Sequence, residues 1–515
     1  MRRSLISIGV AALVVASGIV QGDPPRTKRS PAANQTAPAP PAGTSDIWQV
    51  TYLGKTRIGY SHTLSRPVQI DGRPLIKSDA ETHLTIKRFG QTLQIETREE
   101  EEEEELPGGE LVSFIYEVKN PPAAPTRTVG RVRGSLLVGE STVAGTPHEF
   151  SIPWQAATKS TAYVDRYPRL HPFKPGDAVN LRVFMPDHMQ VSDVRFRAMR
   201  QERVIGLDGR RRSLLRVNMV ESVMPQSPIE VYLDEHGDPV VSTTEMLGQT
   251  LTTYTVPAEV AVKEIAGEGL DIAVNTLVRT TAIPRAPFTT RAVYRIKMKG
   301  EDPTPFFPTD ANQKVIRTGP DECEITVRCE RPTTSNRSIR IDRQYLEPSQ
   351  FLQSNDREVL NHVDRAARYL VEPSKIAIAM EKYVDHEVQK KDFSTALASA
   401  GEVARTLQGD CTEHAVLLAA MLRARNIPSK IVVGLVYIEP LSSFGGHMWT
   451  EALLGDHWVP LDATLGNGEA GIGAAHIKLA ESSFADKGPT PTTAFLPLVR
   501  VLGRIELTVV ETSSQ

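Results

Sequence analysis

Three residues in the carboxyl-terminal third, Cys411, His447 and Asp462, are of the types that together perform nucleophilic catalysis. Cys411 follows Asp410, and Glu413 lies three positions after that aspartate, which is the pattern of a capping box. The pattern predicts a helix that begins at Cys411. A thiol in the first helical turn feels the positive end of the helix dipole, which favours the thiolate and predicts a lowered thiol pKa.

The other two residues lie where strands are predicted to begin or end. A β-branched strand over 431–437 is followed by a loop and by a second strand that opens with His447. A turn at 455–456 leads to a third strand, which closes with Asp462. Antiparallel pairing would place His447 beside Asp462, with the helix packed against both. In this arrangement the thiolate of Cys411 is the nucleophile and the imidazole of His447 is its base. The carboxylate of Asp462 orients the imidazole.

Two other interpretations of these residues are a core thiol and a zinc site. A free cysteine is most often a small buried residue, and the helix start alone does not decide between that role and a nucleophile. A zinc site would join Cys411 and His414 to His447 or His457, but no ligand pair repeats the usual spacing. We therefore predict no metal and no cofactor, and we assign catalysis to Cys411, His447 and Asp462.

At this point the sequence resembles the transglutaminase-like superfamily. The resemblance rests on Gly409-Asp410-Cys411 at a helix start, Arg425-Asn426-Ile427-Pro428 before a Val-rich strand, His447-Met448-Trp449, and Trp458-Val459-Pro460-Leu461-Asp462. More narrowly, the chain resembles bacterial exported proteins in which such a domain follows β-rich regions. The resemblance implies a papain-like α+β core, with Cys411 as nucleophile, His447 as base and Asp462 as the residue that orients the base.

The resemblance leaves the reaction open. Active members pass through a thioester acyl-enzyme, which either water or an amine resolves. The sequence has no calcium loop of the EF-hand type and no recognisable amine-binding segment, so we predict hydrolysis of a peptide or amide bond in a protein or peptide substrate. Transglutaminase-type cross-linking is one alternative. A non-catalytic protein that binds or scaffolds a cell-envelope partner is the other.

The amino terminus predicts export. Arg2 and Arg3 precede an apolar run over 5–20, and residues 1–22 therefore have the pattern of a signal peptide. The run is slightly shorter than the roughly 17–25 residues that span a bilayer, so we expect cleavage rather than a lasting anchor. Residues 23–44 are rich in Pro and Ala and predict a disordered linker. We expect a periplasmic or extracellular protein with no membrane contact beyond this signal or anchor.

Between the linker and the catalytic region, the sequence predicts mostly strands. Short β-branched and aromatic segments alternate with polar residues, and Gly, Pro and Asp-Gly turns separate them. We predict an antiparallel all-β region with a first β-rich domain over 45–190 and a second β-rich block over 191–285. A β segment over 286–345 then leads into an α+β, papain-like catalytic domain over 346–515. The β-rich half is the expected site for a cell-envelope partner.

A run of seven glutamates over 99–105 interrupts this β-rich region. A metal or a cationic partner is one interpretation of such a run. Because like charges repel one another and are well solvated in water, charge patterning favours a solvated edge or loop instead.

Composition excludes several classes of protein. The 515 residues include 59 Lys and Arg against 62 Asp and Glu, so the chain lacks the basic excess of a nucleic-acid binder. Three cysteines cannot form a disulfide scaffold or an all-cysteine zinc site. Cys323 and Cys329 lie on one predicted strand, about 20 Å apart. A disulfide needs α-carbons within about 7 Å, so we predict two core thiols.

Overall fold

The computed structural model describes most of the chain beyond the amino-terminal segment. The predicted signal peptide and all but two residues of the predicted linker lie outside the described residues. No helix within the described part of the chain is long and apolar enough to cross a bilayer. The described residues are 43–105, 108–225, 227–263, 271–329, 341–389, 393, 396–465, 472–486 and 490–514.

One antiparallel sheet of 14 strands forms most of the chain between residues 45 and 256, and we call it the curled sheet. Its strands are β1 (Ser45–Leu53), β2 (Thr56–Ile70), β3 (Arg73–Arg88), β4 (Gln91–Glu104), β5 (Leu111–Lys119), β6 (Thr126–Arg133), β7 (Leu136–Val143), β8 (Thr146–Pro153), β9 (Ala178–Met185), β10 (Gln190–Ile205), β11 (Arg211–Glu221), β12 (Ile229–Leu233), β13 (Pro239–Met246) and β14 (Gln249–Val256). The strand order is β8-β7-β6-β5-β4-β3-β2-β1-β14-β13-β12-β11-β10-β9. Both predicted β-rich blocks therefore contribute strands to this sheet.

The sheet is curled, since its edge strand β9 lies near the start of β5 with one short segment between them. Lys159 forms bridges with Glu110, next to β5, and with Val183 in the edge strand β9. The helix α1 (Thr161–Leu170) follows directly and packs against β9. The short helices α2 (Ala258–Ala261) and α3 (Ile272–Asn275) come after the last strand of the sheet.

The acidic run lies inside the curled sheet, so the prediction of a solvated edge or loop is wrong. Six of its seven glutamates form the end of β4, which pairs with β3 and β5, and Glu101 and Glu103 are buried. The carboxylate of Glu101 accepts hydrogen bonds from the backbone N–H groups of Thr161 and Ala162 at the start of α1. Arg166 forms an ion pair with Glu103. Donors at a helix N-terminus and a buried cation offset the free-energy cost of removing these two carboxylates from water.

The carboxyl-terminal region combines helices with two smaller sheets. In chain order its elements are β15 (Val278–Arg279), β16 (Thr289–Met298), β17 (Gln313–Arg317), β18 (Glu322–Arg328), α4 (Arg357–Ala367), α5 (Pro373–Glu387), α6 (Ala400–Thr406), α7 (Cys411–Ala424), β19 (Ser429–Ile438), β20 (Ser443–Leu454), β21 (His457–Leu461), β22 (His476–Ser482), α8 (Leu496–Val501) and β23 (Ile505–Ser514). Short 3-10 turns lie at Ala286–Phe288, Thr304–Phe306, Arg343–Tyr345, Glu439–Leu441 and Pro491–Phe495. A large antiparallel sheet followed by an α+β region confirms the predicted fold class.

Helix α7 packs against one of these two sheets, and we call that sheet the site sheet. Its strand order is β15-β20-β19-β22, with β21 paired to β20. The second sheet has the order β17-β18-β16-β23. All three cysteines are free, and Cys323 in β18 is buried as predicted, whereas Cys329 is only half-buried. Apolar side chains of the curled sheet and of the carboxyl-terminal region form one continuous core.

Neighbouring glutamates in the acidic run allow a test of this burial. Glu103→Ala should lower the free energy of unfolding by about 3–5 kcal/mol, because it leaves the buried Arg166 without its carboxylate. Glu104 pairs with the exposed Arg73, so Glu104→Ala should cost no more than about 1 kcal/mol. Urea unfolding of both variants measures the difference. Equal losses would contradict the buried arrangement of the run.

Candidate active site

Helix α7 begins at Cys411, which confirms the predicted helix start. The carboxylate of Asp410 accepts a hydrogen bond from the N–H of Thr412 at 2.9 Å, and Glu413 accepts from the N–H of Asp410 at 2.9 Å. These reciprocal bonds form the capping box that the spacing predicted. Burial and the charge of Asp410 raise the pKa of Glu413 to about 8. The side chains of Asp410 and Glu413 therefore hold the first turn of the helix, where Cys411 lies.

His447 and Asp462 meet on the site sheet. His447 lies inside β20 rather than at its start, because the pairing of β19 with β20 continues from residue 443. Asp462 directly follows β21, which pairs with β20. The Nε2 atom of His447 lies 2.8 Å from Oδ2 of Asp462, so the two side chains share a hydrogen bond. The other oxygen of Asp462 accepts from the N–H groups of Thr464 and Leu465, which holds the carboxylate in place.

The thiol of Cys411 lies next to the imidazole of His447. Burial raises the pKa of the thiol, and the charge of Asp410 adds to this effect. The charge and hydrogen bonding of His447 act in the opposite direction but do not overcome burial. The prediction of a lowered thiol pKa is therefore wrong in its net direction. The helix dipole argument assumed a solvated helix end, whereas this one is fully enclosed.

The imidazole is instead the strongly shifted group of the pair. Burial alone would lower the pKa of His447, but the charges of Asp462 and Cys411 and their hydrogen bonds raise it to about 10. Burial alone would likewise raise the pKa of Asp462, but His447 and His476 hold it well below its ordinary range. The carboxylate of Asp462 and the sulfur of Cys411 therefore stabilise the imidazolium that forms when His447 accepts a proton.

A second histidine contacts the same carboxylate. The Nε2 atom of His476, the first residue of β22, lies 3.0 Å from Oδ2 of Asp462. Its Nδ1 atom lies 3.2 Å from the carbonyl oxygen of Gly473. Sequence reasoning did not find His476, because β22 reaches the site only through its pairing with β19. No local spacing signal marks it.

The zinc site that the sequence analysis considered, with Cys411 and His414 joined by His447 or His457, is not assembled among the described residues. His414 directs Nδ1 to the carbonyl oxygen of Asp410, and His457 is half exposed and pairs with Asp456. A different set could hold a metal ion, since ligand atoms of His447, Asp462 and His476 lie within 4.8 Å of one another. Two of these contacts are already explained as hydrogen bonds to Oδ2 of Asp462.

Glu381 of α5 contacts the backbone of Asp462. Its Oε1 atom accepts a hydrogen bond from the N–H of Asp462 at 2.7 Å. Burial raises the pKa of Glu381 to about 8, although this backbone hydrogen bond acts to lower it. Sequence reasoning gave the residue no role, because the contact joins residues 81 positions apart.

The site is closed to solvent. Cys411 and His447 are 0% exposed and Asp462 is 1% exposed. A small cavity of about 30 Å³ lies next to His476, with Trp449, Cys329 and Ile472 in its wall. Cys411 does not line this cavity. Access of a substrate to the thiol therefore requires movement of the surrounding segments.

Comparison with known families now identifies the region that carries the site. Residues 363–463 match the transglutaminase-like superfamily. The chain contains a transglutaminase-like domain. This match includes Cys411, His447 and Asp462, whereas His476 lies beyond its end. The part of the chain that positions His447 and Asp462 is thus the part that belongs to the superfamily.

Solved structures give weaker likenesses. A candidate cysteine protease from Cytophaga hutchinsonii has 15% identity and a TM-score of 0.30, covering 44% of this chain and 90% of that one. A β-barrel-like protein from Brucella abortus has 10% identity and a TM-score of 0.30, covering 41% and 96%. A candidate protease from Parabacteroides distasonis has 12% identity and a TM-score of 0.19, covering 68% and 64%. No curated protein matches the chain. The assignment therefore rests on the superfamily match.

The two buried thiols should react differently. Cys323 and Cys411 are both enclosed, but burial and nearby acidic groups raise the pKa of Cys323 to about 12, and only Cys411 adjoins an imidazole. We expect iodoacetamide at neutral pH to label Cys411 far faster than Cys323 or the half-buried Cys329. Mass spectrometry of tryptic peptides measures the three rates. Equal, slow labelling at all three positions would contradict an activated Cys411.

Glu381 should make stability depend on pH. Its folded pKa of about 8 lies above its unfolded value, so its contribution is complete below about pH 4.5 and is lost as the pH rises through 8. Over this window the group lowers the free energy of unfolding by about 1.4 kcal/mol per pH unit. Glu381→Gln keeps the acceptor for the N–H of Asp462 and should make the slope shallower by that amount. Urea unfolding from pH 5 to pH 8 measures it.

The exposed Glu235 provides the matched control. Glu235→Gln should leave the slope of the wild-type protein unchanged. A Glu381→Gln variant with the wild-type slope would show that the folded protein does not hold a proton on Glu381 in this range.

Proposed function

We propose that the chain is an exported, cysteine-dependent acyl-transfer enzyme that cleaves peptide or amide bonds through a thioester intermediate. Cys411 is the nucleophile, His447 is the base, and Asp462 orients the base. The observation that carries this proposal is the 2.8 Å contact between His447 and Asp462 beside a cysteine at the first position of α7. A superfamily match over the same residues supports it.

In the first half-reaction, the proton of the Cys411 thiol moves to Nδ1 of His447 while the sulfur attacks the substrate carbonyl carbon. Asp462 accepts a hydrogen bond from Nε2 and stabilises the resulting imidazolium, as the raised pKa of His447 indicates. The imidazolium then gives its proton to the leaving amine, and the C–N bond breaks. The products of this step are a free amine and a thioester on Cys411.

In the second half-reaction, water attacks the thioester. His447 takes a proton from the water, the C–S bond breaks, and the sulfur recovers a proton as the carboxylic acid leaves. The negative oxygen that forms in each half-reaction needs nearby donors. The N–H of Cys411 is a candidate donor, because the first N–H groups of a helix have no acceptor within the helix.

Hydrolysis is favoured over cross-linking by the enclosure of the site. Once the thioester has formed, water can reach a site of this kind with little further opening, since it is the smallest acceptor. The amine of a second protein would require a channel for a long side chain, and Cys411 does not line the small cavity beside His476. Transglutaminase-type cross-linking is therefore the second outcome to test.

The proposed location follows from the amino-terminal sequence. Residues 1–22 have the pattern of a signal peptide, and residues 23–44 have the Pro/Ala-rich composition of a linker. We propose that the protein works in the cell envelope or outside the cell. A protein or peptide is then its substrate, and the curled sheet is the surface available to an envelope partner.

A non-catalytic binding role is a second candidate, and one observation favours it. The three site residues are enclosed in this conformation, as they would be in a domain that has lost substrate access. In that case the curled sheet would carry the function by binding a cell-envelope partner. Retention of a nucleophile, a base and a carboxylate that hydrogen-bonds the base argues for the enzyme.

Mass spectrometry can separate these functions. The purified chain is incubated with casein or a peptide library together with a labelled primary amine, and we expect peptide cleavage that Cys411→Ala abolishes. Cys323→Ala, the same substitution at a buried thiol of strand β18, should retain the activity provided that circular dichroism shows a folded protein. Incorporation of the amine would establish cross-linking. Cleavage that survives Cys411→Ala would contradict the assigned nucleophile.

A further inference from the structure

One residue of the curled sheet reaches the helix that carries the cysteine. Arg88 is the last residue of β3 and is 0% exposed. Its Nη2 atom lies 2.7 Å from Oδ2 of Asp410, a residue 322 positions later in the chain. Asp410 directly precedes Cys411. The guanidinium of Arg88, from the amino-terminal half, therefore forms a buried ion pair with the residue that precedes the proposed nucleophile.

The turn that presents Arg88 is fixed in place. Phe89 and Gly90 link β3 to β4 and both have positive φ angles, 46° and 80°. Two such residues form the tight turn that suits a hairpin, but a bulky residue rarely occupies the first position. The N–H groups of Phe89 and Gly90 donate to the carboxylate of Asp271, and the ring of Phe89 packs 5.4 Å from that of Phe393. These contacts offset the unfavourable backbone and hold Arg88 in position.

The two carboxylate oxygens of Asp410 accept hydrogen bonds from different parts of the molecule. Oδ1 caps α7 by accepting from the N–H and the hydroxyl of Thr412. Oδ2 accepts from Arg88. A buried carboxylate that lost its cation would be strongly destabilised. The cation from the curled sheet thus holds the cap that sets the first turn of α7.

We infer that Arg88 is a positioning residue for Cys411, supplied to the transglutaminase-like domain by the curled sheet. The inference deepens the proposed function, since it rests on Cys411 as nucleophile. Arg88 lies outside the region that matches the superfamily, 363–463, so that region alone lacks this cation. The curled sheet then has a role in the active site itself, besides any partner that it binds.

Arg88 also affects the charge around the thiol. The negative charge of Asp410 raises the pKa of Cys411, and Arg88 neutralises that charge. The other titratable groups near the thiol and its cap are His447 on β20 and Glu413 on α7. His414 on α7 contacts the carbonyl oxygen of Asp410. Asp462 contacts His447, and His476 contacts Asp462. Loss of the guanidinium would leave the charge of Asp410 facing the thiol.

The pH dependence of Cys411 alkylation by iodoacetamide tests the inference in the full-length chain. In Arg88→Gln, we expect the midpoint to move up by about one pH unit, which is about a tenfold slower reaction at neutral pH. Arg88→Lys keeps the charge but not the planar fork of donors, so its midpoint should fall between those of the wild type and Arg88→Gln. Arg73→Gln is the matched control, because Arg73 starts the same strand and pairs with Glu104 at an exposed position.

Each result decides the inference. A folded Arg88→Gln variant with the midpoint of Arg73→Gln and the wild type would overturn it. If Arg88→Gln does not fold, the Arg88→Lys midpoint decides, since an upward shift supports the inference and a wild-type midpoint overturns it. Alkylation requires no substrate. If the wild-type protein does not turn over a substrate, the proposed function is refuted. If the wild-type protein does turn over a substrate but the alkylation midpoints of the Arg88 variants are unchanged, only the role of Arg88 is refuted.

Discussion

The buried carboxylate of Asp410 is the point on which the architecture depends. One oxygen caps α7 and the other binds Arg88 of the curled sheet, so a single side chain joins the nucleophile, its helix and the amino-terminal half. A buried charge is tolerated only when donors surround it. Arg88, the last residue of β3, meets that requirement. The same requirement explains why the turn after Arg88 accepts an unfavourable backbone at Phe89.

A similar arrangement of donors occurs around several other enclosed acidic groups. Asp462 receives two imidazoles and two backbone N–H groups, and its pKa falls well below the ordinary range. Glu101 receives the first N–H groups of α1, and Glu103 receives Arg166. Burial raises the pKa of Glu101 despite these donors, and it raises the pKa of Glu381 to about 8. Hydrogen bonds alone therefore do not keep a buried acid ionised here, since Glu413 accepts three and has a pKa of about 8, whereas the two imidazoles lower the pKa of Asp462.

Local signals in the sequence were sufficient where neighbouring residues decide the structure. The spacing of Asp410 and Glu413 predicted the capping box, and antiparallel pairing brought His447 beside Asp462. The same reasoning failed for the acidic run and for the direction of the Cys411 pKa. Both errors have one cause, because charge patterning and the helix dipole were evaluated as if the residues faced water. Burial, which reverses both conclusions, comes from elements far away in the chain.

The sequence by itself therefore determined the fold class, the start of α7 and the residue types of the candidate site, because capping and strand alternation depend on nearby residues. Only the tertiary structure decided which groups surround that site. His476 arrives through the pairing of β22 with β19, and Arg88 through a contact across 322 positions. Such partners leave no mark in local spacing, since the free energy that selects them is the cost of leaving a buried charge unpaired.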